Sequence, residues 1–175
     1  SHANSYCGFI WAGACGQVFE AKDTVLAAVS VWRQAPPNIT PLRLYVMEVD
    51  STGTPDFNRI LLYGPTLQIV EGDGVHPVHF RFVLDPPLAL PRPGRYEFAI
   101  QTAPPYCDFG ASLLADDRNP YPGGAAWEHG RGDPFFGCYL THARAKDPGD
   151  DLVLQLEFCD TPTPVRRGSW GSLKI

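Results

Sequence analysis

Prolines and glycines interrupt this chain too often for long helices to form. Its 175 residues include 18 Pro and 17 Gly, and this share of proline is about twice the ordinary ~5%. Proline lacks a backbone donor and breaks a helix when it falls in the interior, so the composition excludes an all-α bundle. The glycines show no three-residue period, which excludes a collagen-like triple helix. We therefore expect a fold built from short extended segments.

The remaining composition indicates one globular domain with a tail. Hydrophobic residues make up 44% of the chain and charged residues 19%, which excludes charge-driven disorder. A chain of this length fits one domain. We expect a single domain over residues 1–160, and residues 161–175 form a tail with several Pro and basic residues.

The charge balance argues against nucleic acid as a partner. The net charge is −5, and residues 1–160 hold 11 Lys and Arg against 19 Asp and Glu. Phosphate backbones require a basic surface. No apolar run reaches the ~18 residues of a membrane-spanning helix. The first residue is Ser, and we expect it to follow either a removed leader or a scar left by the expression vector.

Alternation of apolar and polar residues predicts β-strands along most of the chain. In residues 95–101, for example, Tyr96, Phe98 and Ile100 alternate with Arg95, Glu97 and Gln101. This period of two is typical of a strand with one face in the core, so Glu97 and Gln101 are expected on the solvent side. The other clear segments are 17–21, 24–32, 42–49, 78–84 and 152–158, and weaker ones are 60–63, 66–70, 109–115 and 136–142.

The number and spacing of these segments favour an all-β fold. Turn-forming Pro, Gly, Asp and Asn residues separate the strands, as in antiparallel β-sandwiches. Residues 24–32 are apolar on both faces, which indicates a central position in a sheet. We predict an antiparallel β-sandwich with jelly-roll topology.

Five cysteines indicate an oxidising compartment. They show no CxxC spacing of the kind that binds zinc. Disulfides are the better explanation, with Cys7–Cys15 and Cys107–Cys138 as one sensible arrangement and other pairings open. That arrangement leaves Cys159 free for a contact with another chain. We therefore expect a secreted or cell-surface protein.

Three aromatic residues in loop-like surroundings are the best candidates for ligand binding. Tyr106, Tyr121 and Trp127 lie among Gly and Pro, and planar rings stack well on the apolar faces of sugars. Packing of these rings under a turn is an equally good explanation. Trp11 and Trp32 adjoin apolar runs, where packing in the core is the default.

One group of acidic and amide side chains is a candidate calcium site. Asp116, Asp117 and Asn119 are close in sequence, and Ca²⁺ prefers six to eight oxygen ligands. The spacing lacks the EF-hand pattern, and an Asp/Asn-rich turn is the favoured alternative. No other cofactor is predicted.

The sequence shows none of the common catalytic motifs. It lacks GxSxG, HExxH and the phosphate-binding GxxxxGK[ST] pattern. His76 and His79 are the closest histidine pair, but a step of three residues puts them on opposite faces of a strand. We therefore predict that the protein is not an enzyme.

Several segments resemble a family of secreted bacterial β-sandwich modules. These modules share a Tyr-x-Gly-Gly-x-Ala loop and look like carbohydrate-binding jelly rolls attached to exported proteins. The ending of the chain is similar to Trp-Gly-x-x-Lys tails of exported bacterial proteins. The matching segments are Gln17–Ala21, Leu42–Tyr45, Pro93–Phe98, Tyr121–Ala126 and Ser169–Lys174.

Two functions follow as expectations. The first is a non-catalytic structural subunit of an extracellular filament or surface layer, which self-associates through Cys159, Trp170, Leu173 and Ile175. A strand edge completed by the terminus of another chain is one way to build such an assembly. The alternative is a carbohydrate-binding module that takes a polysaccharide through its loop aromatics.

Overall fold

The described part of the chain is built from β-strands. A computed structural model describes residues 5–8, 13–34, 41–68, 72, 73, 75–103, 112–118, 121–131, 140–145 and 150–159. The described residues contain no helix that is long and apolar enough to span a membrane. The strands are β1 (Ser5–Gly8), β2 (Ala14–Ala21), β3 (Val25–Gln34), β4 (Leu42–Val49), β5 (Pro55–Leu67), β6 (Pro77–Ala89), β7 (Gly94–Thr102), β8 (Ser112–Asp116), β9 (Ala126–Arg131), β10 (Leu140–Ala145), β11 (Asp151–Leu152) and β12 (Leu154–Phe158).

These strands form two antiparallel sheets that pack face to face. In the first sheet, β3 pairs with β6 and with β12, and β8 joins β3 to β1 and β11. The second sheet has the order β10-β9-β2-β7-β4-β5. The predicted antiparallel β-sandwich is confirmed, and the finer jelly-roll assignment remains a prediction.

The apolar faces of both sheets meet in what we call the intersheet core. The predicted alternation places three runs of apolar side chains there, and all are buried. Phe19 lies in the middle, with its ring centroid 6.2 Å from that of Tyr96 and 6.3 Å from that of Phe98. Burial of such rings is the main favourable term in the stability of the sandwich. The three runs are Leu42, Leu44 and Val46; Phe80, Phe82 and Leu84; and Tyr96, Phe98 and Ile100.

Several strand boundaries differ from the sequence prediction. Residues 60–63, 66 and 67 belong to the single long strand β5, which pairs with β4 through Tyr63 and Thr66 on either side of a register shift, and residues 69 and 70 lie outside the described part. The described residues of the segments expected at 109–115 and 136–142 lie in β8 and β10, and residues 109–111 and 136–139 are outside the described part. The prediction for 24–32 is correct, since β3 lies between β6 and β12.

Trp32 is not the core residue that its apolar neighbours suggested. It is half-buried, and its indole stacks on the His79 imidazole with ring centroids 4.5 Å apart and planes 19° apart. Trp32 and His79 are also register partners in β3 and β6. This stack explains why His79 does not act together with His76.

Candidate functional site

The outer face of the second sheet, turned away from the intersheet core, is itself enclosed. Strands β5 and β10 are the two edges of this sheet, yet they contact one another. Side chains from both edges cover a small apolar patch on the outer face. The covering residues are Phe57, Ile60 and Leu140, and the patch consists of Ala14, Tyr45, Met47 and Ala99.

A carboxyl and an imidazole meet inside this enclosure. Glu97 on β7 and His129 on β9 are each 0% exposed. His129 Nε2 lies 2.6 Å from Glu97 Oε1, within hydrogen-bond distance. The Phe57 ring rests edge-on against the imidazole, with centroids 5.4 Å apart and planes 86° apart. The pair is therefore shielded from solvent on the side of β5.

Gly16 provides the space in which this pair forms. The residue lies on β2, between β7 and β9. A Cβ built on Gly16 would lie 2.2 Å from Glu97 Oε1 and 2.6 Å from the Phe98 carbonyl oxygen. Both distances are far below van der Waals contact. Only glycine at this position lets the Glu97 side chain lean across β2 toward β9.

Three further side chains with polar groups complete the site. Tyr45 donates a hydrogen bond of 2.8 Å from its hydroxyl to Gln101 Oε1, and Gln101 is 0% exposed. Trp127 is the register partner of Gly16 and is half-buried, but its indole nitrogen is buried. We call this set the outer-face cluster: Tyr45, Glu97, Gln101, Trp127 and His129.

Four atoms of the outer-face cluster are buried without a hydrogen-bond partner among the described residues. They are Glu97 Oε2, Gln101 Nε2, Trp127 Nε1 and His129 Nδ1. Folded proteins pair the large majority of buried polar atoms, because each unpaired one costs about 1–3 kcal/mol. A concentration of them on one sheet face indicates a site prepared for a polar ligand.

Burial also changes the acidity of the carboxyl group in the cluster. Desolvation raises the pKa of Glu97, and the neighbouring His129 opposes the rise through its charge and its hydrogen bond. A raised pKa favours the neutral, protonated carboxyl over the ion. In that form Glu97 can donate a hydrogen bond as well as accept one.

The two aromatic candidates that the structure describes lie in different surroundings. Trp127 belongs to the outer-face cluster, whereas Tyr121 packs against the intersheet core. The Tyr121 hydroxyl accepts a 2.9 Å hydrogen bond from the Glu20 backbone N–H. These contacts favour the packing explanation for Tyr121, and ligand binding by this residue stays a prediction. Tyr106 lies outside the described residues.

The Tyr121–Ala126 loop has a structural explanation of its own. A Cβ on Gly124 would lie 1.8 Å from the Val18 carbonyl oxygen, so the loop can approach β2 only with glycine there. Next to it, Asp151 accepts hydrogen bonds from Gln17 Nε2 at 2.7 Å and from the Tyr121 backbone N–H at 2.8 Å. These contacts fix the loop to both sheets.

The candidate calcium ligands are engaged in another way. Asp116 Oδ1 accepts hydrogen bonds from the backbone N–H of Arg118 at 3.0 Å and from its Nε at 2.8 Å. These contacts lower the pKa of Asp116 to about 2. Asp117 is an exposed turn residue, and Asn119 lies outside the described residues. The structure describes no group of three or more potential metal ligands, and the calcium site stays a prediction.

The histidine pair of the sequence is divided between two contacts. His76 Nδ1 lies 2.5 Å from Asp73 Oδ2 in an exposed turn, and the contacts of Asp73 raise the pKa of His76. His79 stacks on Trp32 instead. The two rings therefore serve different local contacts, and only His79 lies within a strand.

The cysteines and the termini are described only in part. Cys15 is disulfide-bonded, and its partner is not among the described side chains. Cys159 is a half-buried free thiol directly after β12. The pairing of Cys7, Cys107 and Cys138 and the contacts of Trp170, Leu173 and Ile175 lie outside the described side chains and remain predictions.

Sequence reasoning missed four of the five members of the outer-face cluster. Alternation assigned Glu97 and Gln101 to solvent, but the edges of their own sheet enclose them. The only local signal was the small size of Ala14, Gly16 and Ala99, which leaves room above β2 and β7. Comparison with known proteins gives no further guide, since no protein-family model, curated protein or solved structure matches the chain.

Proposed function

We propose that the protein is a non-catalytic β-sandwich domain that binds a neutral, hydroxyl-rich carbohydrate at the outer-face cluster. One observation carries this proposal: four buried polar atoms on a single sheet face have no hydrogen-bond partner among the described residues. We retain the expectations of an exported, extracellular protein and of no catalytic activity as parts of the proposal.

The chemistry of the four atoms matches hydroxyl groups. Trp127 Nε1 and Gln101 Nε2 can only donate hydrogen bonds, Glu97 Oε2 can accept, and His129 Nδ1 can do either. A sugar hydroxyl donates and accepts at once, so neighbouring hydroxyls can serve all four atoms. An inorganic anion would lie against the Glu97 carboxyl. It could accept hydrogen bonds from the donors of the cluster but could not donate one to Glu97 Oε2. Rings of Tyr45 and Trp127 add the apolar surface on which a sugar can stack.

Access to the cluster lies along the closed edges of the second sheet. Phe57 of β5 and Trp127 of β9 are both half-buried at this margin, while Glu97 and His129 are fully covered. A ligand therefore reaches the carboxyl only if β5 moves away from β10. Because this movement must precede binding and release, we expect both the association and the dissociation of the ligand to be slow.

A panel of soluble neutral polysaccharides tests the proposal. We expect at least one to bind saturably, and Trp127→Phe to weaken its binding roughly five- to tenfold by removing one donor and keeping an aromatic ring. Trp32→Phe, on the other sheet, is the matched control and should leave binding unchanged. Absence of binding to every polysaccharide, or equal loss in both variants, would contradict the proposal.

Self-assembly into a filament or surface layer is the second candidate function. The free thiol of Cys159 at the end of β12 is the observation that favours it. We expect the mass in solution to exceed that of a monomer, and Cys159→Ser or a reducing agent to lower it. A strict monomer at high concentration, with a freely removable tail, would overturn this candidate.

A further inference from the structure

Arg33 is a buried cation with no counter-ion among the residues that the structure describes. The residue lies near the end of β3 and is 1% exposed. Its Nε and Nη1 atoms are buried and have no hydrogen-bond partner among the described residues. Arginine cannot lose its charge in a protein, so this guanidinium cannot lower its cost by becoming neutral.

The surroundings of Arg33 on its own sheet are apolar. Its register partners are Val78 on β6 and Leu113 on β8. Strand alternation puts Arg33 on the same face as Val29 and Val31, which belong to the intersheet core. Burial is the one cause that shifts the pKa of Arg33, and it lowers it. No neighbouring charge in the described part of the chain offsets this desolvation.

Other arginines of the structure show the opposite arrangement. Arg59, Arg81 and Arg118 have exposed side chains, and each is paired with a carboxylate. Ion pairing at the surface contributes little stability, whereas an unpaired buried charge is strongly destabilising. Arg33 therefore combines full burial with the absence of an anionic partner among the described residues.

We propose that Arg33 is the binding residue of a second site, which takes an oxyanion at this end of the intersheet core. The shared chemistry is a carboxylate, phosphate or sulfate oxygen that accepts charge-assisted hydrogen bonds from Nε and Nη1. The site is on the sheet opposite the outer-face cluster, so it does not depend on carbohydrate binding.

Thermal unfolding in different sodium salts at matched ionic strength tests this site. A ligand that binds the folded state raises the unfolding midpoint in a saturable way. We expect phosphate, sulfate or acetate to do so relative to chloride, for the wild type and for the exposed control Arg81→Gln. Arg33→Gln should lose this rise in the unfolding midpoint, because its apparent affinity for the anion should be weaker by roughly tenfold or more.

The salts also separate the sources of the anion. A response to acetate indicates a ligand carboxylate, and a response restricted to phosphate and sulfate indicates an inorganic or ester anion. Equal midpoints in all salts, or an equal response in Arg33→Gln, would overturn the proposal.

A second measurement covers the case in which Arg33→Gln does not fold. The Nε–H resonance of a buried arginine is protected from exchange, so it can be followed by NMR in the wild type. We expect this signal to shift saturably with the stabilising anion. A protected Nε–H signal that no anion moves would overturn the proposal without any variant.

Discussion

Gln17 and Gln101 are both completely buried, yet their surroundings differ. Gln17 sits between the sheets, where its Nε2 donates to Asp151 Oδ1 and its Oε1 accepts from the Leu152 N–H at 2.9 Å. Gln101 lies on the outer face of the second sheet, where its oxygen bonds Tyr45 but its amide nitrogen has no partner among the described residues. Gln17 holds the two sheets together through both ends of its amide. Gln101 uses only its amide oxygen in a hydrogen bond with a described residue.

This difference separates structural polar groups from groups available to a ligand. A satisfied buried amide fixes one arrangement of its neighbours, and its loss leaves their donors and acceptors unpaired. A buried amide whose donor has no partner weakens the fold. A ligand that accepts a hydrogen bond from this donor explains why the amide is there. The intersheet core and the outer-face cluster should therefore respond differently to substitution.

The largest difference is expected from aromatic residues. Phe98→Ala in the intersheet core should lower the free energy of unfolding by about 3–5 kcal/mol, because it leaves a cavity. Phe57→Ala, at the half-buried margin of the outer-face cluster, should cost roughly 1–2 kcal/mol and speed ligand entry. Chemical denaturation of both variants measures the difference, and a larger loss for Phe57→Ala would reverse the comparison.

The two glutamines provide the next prediction. Gln17→Met leaves Asp151 Oδ1 and the Leu152 N–H unpaired, and we expect it to cost about 2–4 kcal/mol. Gln101→Met removes an unpaired donor along with one hydrogen bond, so it should stay within about 1 kcal/mol of the wild type. Urea unfolding curves of the two variants provide the test. Equal losses in the free energy of unfolding would show that Gln101 stabilises the fold as much as Gln17 does, and would contradict the comparison.

Gly16 should give a smaller loss of stability with a specific local effect. Gly16→Ala forces its Cβ against Glu97 Oε1 and the Phe98 carbonyl, and we expect a cost of about 1–3 kcal/mol from overpacking. The His129 side-chain resonances should change because Glu97 must withdraw. A variant of unchanged stability with unperturbed His129 signals would show that Gly16 is not what makes room for the pair.

The pH dependence of stability tests the buried carboxyl of the outer-face cluster. Burial raises the pKa of Glu97 above its ordinary value of 4.5. The folded protein therefore holds this proton longer than the unfolded chain, and stability is lost as pH rises from about 4.5 through the raised pKa. Glu97→Gln should lack this loss, as shown by unfolding at several pH values from 4 to 7.

Asp116 is the control with the opposite sign. Its contacts with Arg118 lower its pKa from 3.8 to about 2, so its contribution is present above pH 3.8 and is lost as the pH falls toward 2. Asp116→Asn should remove this acid-side loss alone. The same pH profile in wild type and Glu97→Gln above pH 4.5 would contradict the account of the buried carboxyl.

Much of the sandwich could be predicted from the sequence, and most of the site could not. The alternation of Tyr96, Phe98 and Ile100 depends on neighbours two residues apart, which a sequence shows directly. The enclosure of Glu97 depends on β5 meeting β10 and on Gly16 lying beneath it. Those contacts join residues far apart in the chain, and a polar residue in an alternating strand reads as exposed. Trp127 could be singled out because its ring type and Gly-rich surroundings are local features.

The indole N–H of Trp127 offers the most direct measurement of the central claim. Its Nε1 is one of the four buried atoms of the outer-face cluster that have no partner among the described residues, and its ¹H–¹⁵N signal reports a new hydrogen bond directly. During titration with fragments of the polysaccharide that the panel selects, we predict a saturable shift of this signal in step with binding. Binding of the same fragments with no change at the Trp127 indole would contradict the claim that the outer-face cluster is the site.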